Sequence, residues 1–173
     1  MTRTPRHDRG TEGGAVMLEL GVFLPLLFVV ILATVDLGRL VYTNQMMADL
    51  SREAAMLVSR GASSDEAFAA TFLSDAPLDV ESEGGVIISR VRRRNIDDSQ
   101  PWVFTQDRAG GLEAEESRVG MVGGPADIPD VDALGPGITI MTVEVLHGFT
   151  PVFGLEGLGL DFYPEVIYDA SYF

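Results

Sequence analysis

The chain divides into a strongly apolar N-terminal third and a polar, acidic remainder. From Leu20 to Val35 no residue carries a charge, and extending this run back to Ala15 adds one interruption, Glu19. A helix over residues 15–35 rises about 31 Å, which is enough to span a bilayer core of about 30 Å. The pattern therefore predicts a transmembrane helix over residues 15–35.

Apolar residues recur at helical spacing beyond this run, which predicts that the same helix continues to about residue 60. The apolar stripe consists of Leu37, Leu40, Val41, Met47, Leu50, Ala54, Leu57 and Val58. Two interpretations stay open: the stripe packs under the protein's own sheet, or part of it packs against neighbouring subunits. Pro25 is expected to kink or loosen the helix, and Gly61 to cap its end.

The rest of the sequence predicts a short helix and a small sheet. Ser63 or Ser64 is expected to cap the helix, because acids follow in its first turn. Strands are predicted over residues 86–92, 138–146 and 165–173, with an extended segment at 78–82 that turns at Gly84 and Gly85. The expected fold class is α+β, with a long N-terminal transmembrane and amphipathic helix followed by a small antiparallel sheet.

Residues 95–137 have a different composition, with seven Gly, four Pro and nine acidic residues. Such a composition buries little core, so we expect a mobile insertion between two strands. Trp102 and Phe104 are its only large aromatic residues and are expected to fix its start.

Charge and composition exclude several classes of function. The chain has 26 acidic residues against 12 basic ones, all arginine, and its net charge is −14. A nucleic-acid binder is disfavoured, since binding there depends on neutralising phosphates. The chain has no cysteine and two histidines, so thiol catalysis, cysteine zinc sites and a Ser-His-Asp triad lack residues. The sequence predicts no enzyme, no cofactor and no metal site.

Three local features leave alternatives open. Asp127, Asp130 and Asp132, followed by Gly135, faintly resemble a calcium loop but lack its alternating oxygen ligands and closing Glu, so Ca²⁺ binding is a minor alternative. A basic cluster favours a charged edge strand or pairing within the acidic domain over an anionic-lipid or nucleic-acid patch. This cluster is Arg90, Arg92, Arg93 and Arg94. The apolar segment 149–160 favours a core loop over a partner surface.

Flanking charges predict the orientation of the membrane helix. Arg3, Arg6 and Arg9 precede it and Asp36 follows it. By the positive-inside bias, the N-terminus stays in the cytoplasm and the acidic domain is exported. A cleaved secretory signal is disfavoured, since the apolar run is long and a cleavage site ending at Ala33 would have the bulky Ile31 two residues earlier, where a small residue is needed.

Glu19 needs a partner, because a carboxylate inside a transmembrane helix costs about 2.5–3.5 kcal/mol. One interpretation is that Glu19 lies near the cytoplasmic interface and reaches headgroup water. Another is that the chain is cut after Gly14, so that Ala15 carries a new α-ammonium group. That cation, on this chain or a neighbouring one, would neutralise Glu19 within the membrane.

These residues resemble a class III (prepilin-type) signal, with a basic leader, Gly at the cut, Glu fifth in the mature chain and an apolar helix. Further blocks follow at residues 24–27, 35–39 and 51–55. Over residues 13–61 the chain is similar to the TadE-like pseudopilins of tight-adherence (Tad/Flp) pilus systems, which also implies a pilin-like layout. The matching helix positions are Pro25, Asp36, Gly38, Arg39, Arg52 and Glu53.

The resemblance implies a single-pass protein of the bacterial cytoplasmic membrane with a periplasmic or extracytoplasmic domain. A prepilin peptidase would cut it between Gly14 and Ala15. The expected segments are a leader (1–14), a transmembrane helix (15–35), its exported continuation (36–61) and an acidic α+β domain (62–173).

The implied function is that of a minor pseudopilin or assembly component of a Tad-type (type IVc) secretion and adhesion pilus, packing through its N-terminal helix. The implied partners are the peptidase, other pilins or pseudopilins, the Tad assembly platform and the lipid bilayer, with no nucleic acid. The alternative is a single-pass anchored protein whose acidic exported domain binds an extracellular ligand or cation.

Overall fold

The computed structural model describes residues 9–93, 100–112, 117–129, 135, 137–153 and 163–173, with side chains from Gly14 onward. The elements in chain order are α1 (Arg9–Ser59), α2 (Ser64–Ser74), α3 (Val80–Glu83), β1 (Gly84–Arg92), β2 (Trp102–Ala109), β3 (Thr139–Gly148) and β4 (Val166–Tyr172). The α+β class expected from the sequence is confirmed.

Helix α1 is the long helix that the sequence predicts. It begins at Arg9, before the predicted start at residue 15, and continues through Pro25 without a break, since one proline removes only one backbone donor. It ends in the predicted glycine cap. Gly61 has φ +99°, its N–H donates to the Val58 carbonyl at 3.0 Å, and the Ala62 N–H donates to the Leu57 carbonyl at 3.1 Å.

The segment between α1 and the sheet confirms one prediction and corrects another. Ser63 caps α2 through a reciprocal pair of bonds with Glu66, as the sequence predicts. The extended segment predicted at 78–82 is wrong. Asp79 caps the short helix α3 instead, and Gly84 opens β1, where a Cβ would lie 2.5 Å from the Leu146 carbonyl oxygen.

Four antiparallel strands form the sheet in the order β2-β1-β3-β4. Strands β1, β3 and β4 are the three predicted strands. Strand β2 was not predicted, and it lies inside the segment 95–137. It pairs with β1 through a register shift between Arg90 and Val91.

The chain forms two compact units. The helical unit comprises Met1–Arg39 and Pro151–Asp161, and the sheet unit comprises Leu40–Thr150 and Phe162–Phe173. In the sheet unit, residues 47–58 of α1 pack on one face of the sheet. This confirms, for that part of the apolar stripe, the interpretation that the stripe packs under the protein's own sheet. The buried cluster comprises Met47, Leu50, Ala54, Ala55 and Val58 of α1 with Ala67, Phe68, Leu78, Val80, Val86, Ile88, Val143, Val145, Phe149 and Ile167.

A second, smaller cluster lies in the part of the sheet unit that includes β2. It comprises Val91, Val103, Val119, Ala126 and Ile128. The expectation that residues 95–137 bury little core is therefore wrong for their described part, because the scattered apolar residues converge once β2 joins the sheet. Their mobility stays a prediction.

Candidate functional site

The upper part of α1, residues 15–35, carries an apolar surface that the described residues of the helical unit leave exposed. Apolar side chains from Val16 to Val35 are largely exposed, including Leu18, Phe23, Leu26 and Phe28. Among the described residues, one helix, Gly14–Ser59, is long and apolar enough to cross a membrane. This exposure on all sides is typical of a helix whose solvent is lipid.

The predicted processing residues all lie on this helix. A Cβ at Gly14 would meet no atom within 4 Å, so the backbone around the predicted cut is open. Ala15 and Glu19 are four residues apart and therefore share one helix face, with Glu19 exposed. The backbone at Gly13 and Gly14 is helical and not extended, although each Gly weakens a helix by about 1 kcal/mol relative to Ala.

Asp36 is the motif residue with the most definite structural role. Its side chain is 2% exposed. The backbone N–H groups of Val152 and Phe153 donate to its two carboxylate oxygens at 2.9 and 3.0 Å. An Arg39 guanidinium nitrogen lies 3.9 Å from the same carboxylate. Asp36 thus binds a loop distant in sequence to α1, within the helical unit.

Other motif positions are open to the surroundings. Pro25 lies within α1, and a Cβ at Gly38 would meet nothing within 4 Å. The block 51–55 splits by face: Ser51, Ala54 and Ala55 are buried, whereas Arg52 and Glu53 are exposed. Arg52 pairs with the exposed Asp49 at 3.7 Å, a contact worth a few tenths of a kcal/mol at most.

Ser51 joins α1 to the last strand through a buried polar contact. Its hydroxyl donates to the Asp169 carboxylate and lies 2.8 Å from the Ser171 hydroxyl oxygen. Both partners lie on β4, on the face that packs against α1. The contact fixes how helix and strand align, because a slip would leave the carboxylate without its donor.

Glu144 is the centre of a second buried polar network, on the opposite face of the sheet. Its side chain is fully buried in β3 and accepts four hydrogen bonds. The Ser117 hydroxyl donates at 2.5 Å, the Arg118 and Val119 N–H groups at 2.8 and 3.3 Å, and the Tyr168 hydroxyl at 2.8 Å. One carboxylate thus attaches the segment 117–119 to the sheet.

Tyr168 connects this network to a surface groove of the sheet unit. Burial, with the Glu144 charge and hydrogen bond, raises the pKa of Tyr168 strongly, so the phenol stays protonated. The Arg118 guanidinium lies 4.2 Å above its ring. Both residues line a groove of about 540 Å³, together with Leu40, Asn44 and Ile167. The groove offers apolar walls and one cation to a ligand.

Outcomes differ for the features that the sequence left open. Arg90 contacts Thr105 at 3.3 Å and Asp107 at 3.9 Å, so the expectation of pairing within the acidic domain is confirmed there.

Some residues of the calcium-like loop, the basic cluster and the apolar segment lie outside the described residues, namely Arg94, Asp130, Asp132, Leu155, Leu158 and Leu160. Phe149 is buried as expected of a core loop, but Val152 and Phe153 are exposed. The described residues contain no cluster of three or more histidine or acidic side chains placed to hold a metal ion.

Sequence reasoning missed the buried polar contacts of Ser51, Glu144 and Asp169, although Ser51 lies in the block 51–55. The signal for Glu144 was a lone carboxylate in an apolar, β-branched strand, which needs partners when buried. Ser51 and Asp169 carried no comparable signal, because their contact joins positions 118 residues apart.

A comparison with known families bears on the apolar helix. Residues 14–56 match the family model described as TadE-like protein, which confirms the resemblance. That family is a structural, non-enzymatic group. Among curated proteins and solved structures nothing matches this chain. The matched segment covers about a quarter of the chain and contains the predicted cut and Asp36. Residues 14–56 thus form a TadE-like segment, and with the membrane-capable helix they indicate a pilus-related, single-pass membrane protein.

Proposed function

We propose that the protein is a minor pseudopilin or assembly component of a Tad-type pilus, inserted in the cytoplasmic membrane with its acidic domain exported. The observation that carries the proposal is the division of α1. Residues 20–35 are uncharged and largely exposed, whereas one stripe of residues 47–58 packs under the sheet. A helix of this kind suits packing in lipid and against other helices of an assembly.

Processing after Gly14 would supply a partner for Glu19. The new α-ammonium group at Ala15 would lie one helical turn, about 6 Å along the axis, from the Glu19 backbone. The cut would also create a helix N-terminus with free N–H groups, whose partial positive charge favours a nearby carboxylate. A carboxylate at this position thus becomes less costly in the membrane in the mature chain or beside a neighbouring one.

A prepilin peptidase must unwind the helical backbone at the cut, since these enzymes need an extended segment. The two glycines before Ala15 lower the cost of unwinding, and the open surroundings of Gly14 admit the enzyme. Arginines of the leader keep this end on the cytoplasmic side, where the peptidase would act.

The test is the intact mass and N-terminal sequence of C-terminally tagged protein from membranes, with and without a co-expressed prepilin peptidase. We expect a peptidase-dependent chain that starts at Ala15 and is lost in Gly14→Arg. Gly10→Arg is the matched control, since it adds the same residue to the leader away from the cut and leaves processing intact. A chain that starts at Met1 under both conditions contradicts the proposal.

An uncut chain would leave the anchored binding protein as the working alternative. The groove beside Arg118 and Tyr168 is the feature of the sheet unit that suits a ligand. Arg118 would then favour an anionic group, since it is the charged side chain that lines the groove.

A further inference from the structure

The loop that Asp36 binds presents two apolar side chains. On this loop, the Asp36 carboxylate accepts from the backbone N–H groups of Val152 and Phe153, so the two side chains are not used in the contact. Val152 is 60% exposed and Phe153 is 45% exposed. A buried carboxylate thus holds an apolar pair open to the surroundings of the helical unit.

The position of this pair along α1 identifies what surrounds it. Asp36 directly follows the apolar run 15–35, whose length of about 31 Å matches the hydrocarbon core of a bilayer. Asp36 therefore lies at one boundary of that core. Hydrogen bonds of 2.9 and 3.0 Å place the backbone of residues 152 and 153 at the same depth.

The loop continues the apolar surface of the helix at this depth. Val35 and Leu37, on either side of Asp36, are 46% and 54% exposed. Loop and helix together offer a wider apolar surface than the helix alone, next to the end of the membrane span. Such a surface, continuous with one that faces lipid, suits the interfacial layer of the same bilayer.

The charges around Asp36 fit this location. A carboxylate at the edge of the hydrocarbon is costly unless its charge is satisfied locally. Two N–H donors and the Arg39 guanidinium at 3.9 Å surround it, and its side chain is 2% exposed. The Arg39 side chain is half exposed, so its cation can also reach lipid phosphates.

We propose that Val152 and Phe153 insert into the headgroup and acyl boundary of the bilayer, as a second membrane contact beside α1, and that Asp36 positions them there. The proposal rests on the membrane span of α1. A single helix is free to rotate about its axis, whereas a lateral contact at the boundary fixes its rotation and depth. The side of α1 presented to neighbouring subunits would thereby be set before assembly.

The experiment uses the full chain, whose lack of cysteine makes any introduced cysteine unique. Val152→Cys carries a nitroxide spin label, and the chain is reconstituted into vesicles of phosphatidylethanolamine and phosphatidylglycerol. Collisions with oxygen, which concentrates in lipid, are compared with collisions with a water-soluble nickel chelate. We expect the ratio of oxygen collisions to nickel collisions to be severalfold higher for the label at residue 152 than for a label in water.

Two further positions calibrate the result. Leu27→Cys lies within the apolar run and reports the span itself. Val122→Cys replaces the same residue type at a similarly exposed position of the sheet unit and serves as the aqueous reference. A label at 152 that behaves like 122, or that neither reagent reaches, overturns the proposal. If the label at 27 also behaves like 122, the span fails as well, so the two failures are distinguishable.

Asp36→Asn tests the positioning residue. Asparagine keeps the size and one acceptor but loses the charge and the second acceptor, so the loop should be released. We expect the oxygen preference at 152 to fall severalfold while that at 27 is unchanged, with the Trp102 fluorescence of the sheet unit intact. An unchanged preference at 152 would show that Asp36 does not hold the loop in lipid.

Discussion

The two parts of α1 differ in what surrounds them, since one suits lipid and the other packs against the protein's own sheet. Residues 20–35 carry no charge and are largely exposed, whereas residues 47–58 bury one stripe and leave Arg52 and Glu53 exposed. Each part also has a polar contact of its own, Asp36 in the helical unit and Ser51 in the sheet unit. The comparison teaches that hydrophobic periodicity, and not hydrophobicity alone, decides whether a helix packs on its own chain or faces lipid.

The largest effect should come from the polar network of the sheet unit. Glu144→Leu leaves four donors without their acceptor, so the free energy of unfolding should fall by about 3 kcal/mol or more. Urea denaturation of the full chain in detergent, followed by the fluorescence of Trp102, measures it. Glu53→Leu, at an exposed glutamate, is the control and should change stability by less than about 0.5 kcal/mol. Equal losses in both variants would contradict the role of Glu144.

A charge in the upper part of α1 should act on membrane insertion. Leu27→Asp places a carboxylate near the middle of the span, at a cost of about 2.5–3.5 kcal/mol. We expect a smaller fraction of the chain to resist carbonate extraction from membranes. Leu73→Asp, at an apolar residue of α2 that is 86% exposed, should extract like the unmodified chain. If the two variants extract alike, the lipid environment of residue 27 is wrong.

The contact of Ser51 should be worth less than that of Glu144. Ser51→Ala removes the donor to the Asp169 carboxylate, with an expected loss of about 1–3 kcal/mol in the free energy of unfolding. The matched control is Ser59→Ala on the same helix, where the exposed Ser59 hydroxyl donates to the Met56 carbonyl at 2.9 Å. Urea titrations of both variants separate the two roles, and a Ser51→Ala chain as stable as Ser59→Ala would refute the assignment.

The smallest effect concerns the pH dependence of stability through His147 in the sheet unit. The described residues of the helical unit include no histidine. Burial lowers the pKa of His147, although the charges of Glu83, Asp75 and Asp79 oppose the shift. The unfolded chain therefore binds the proton first, at its ordinary pKa of about 6.5. The contribution of neutral His147 to the free energy of unfolding is therefore fully present above pH 6.5, and it is lost as the pH falls through the lowered pKa.

One proton contributes at most about 1.4 kcal/mol per pH unit to this slope. His147→Gln removes the titration, so its urea midpoint should depend less on pH between 7 and 5 than that of the unmodified chain. Identical pH dependence in the two chains would exclude His147 as a contributor.

Local signals in the sequence predicted most elements of the fold. The cap of α2 at Ser63 and the end of α1 at Gly61 followed from residues within one turn of each helix. Strand β2 was missed because its residues carry mixed polarity at the sheet edge, and α3 because a four-residue helix has no period to read. The predicted processing and motif residues all fall on α1, since a continuous helix keeps sequence order in space.

The membrane-capable helix, the TadE-like segment and the α+β class all follow from the amino-acid sequence. These depend on contiguous apolar residues, on short spacings and on periodicity, all of which are local properties. Three contacts emerge only in the folded chain: Asp36 binds residues 152 and 153, Ser51 donates to Asp169, and Glu144 binds the segment 117–119. The physical reason is that a buried polar group must find a partner, and which partner it finds depends on chain segments that only the folded sheet and loops bring together.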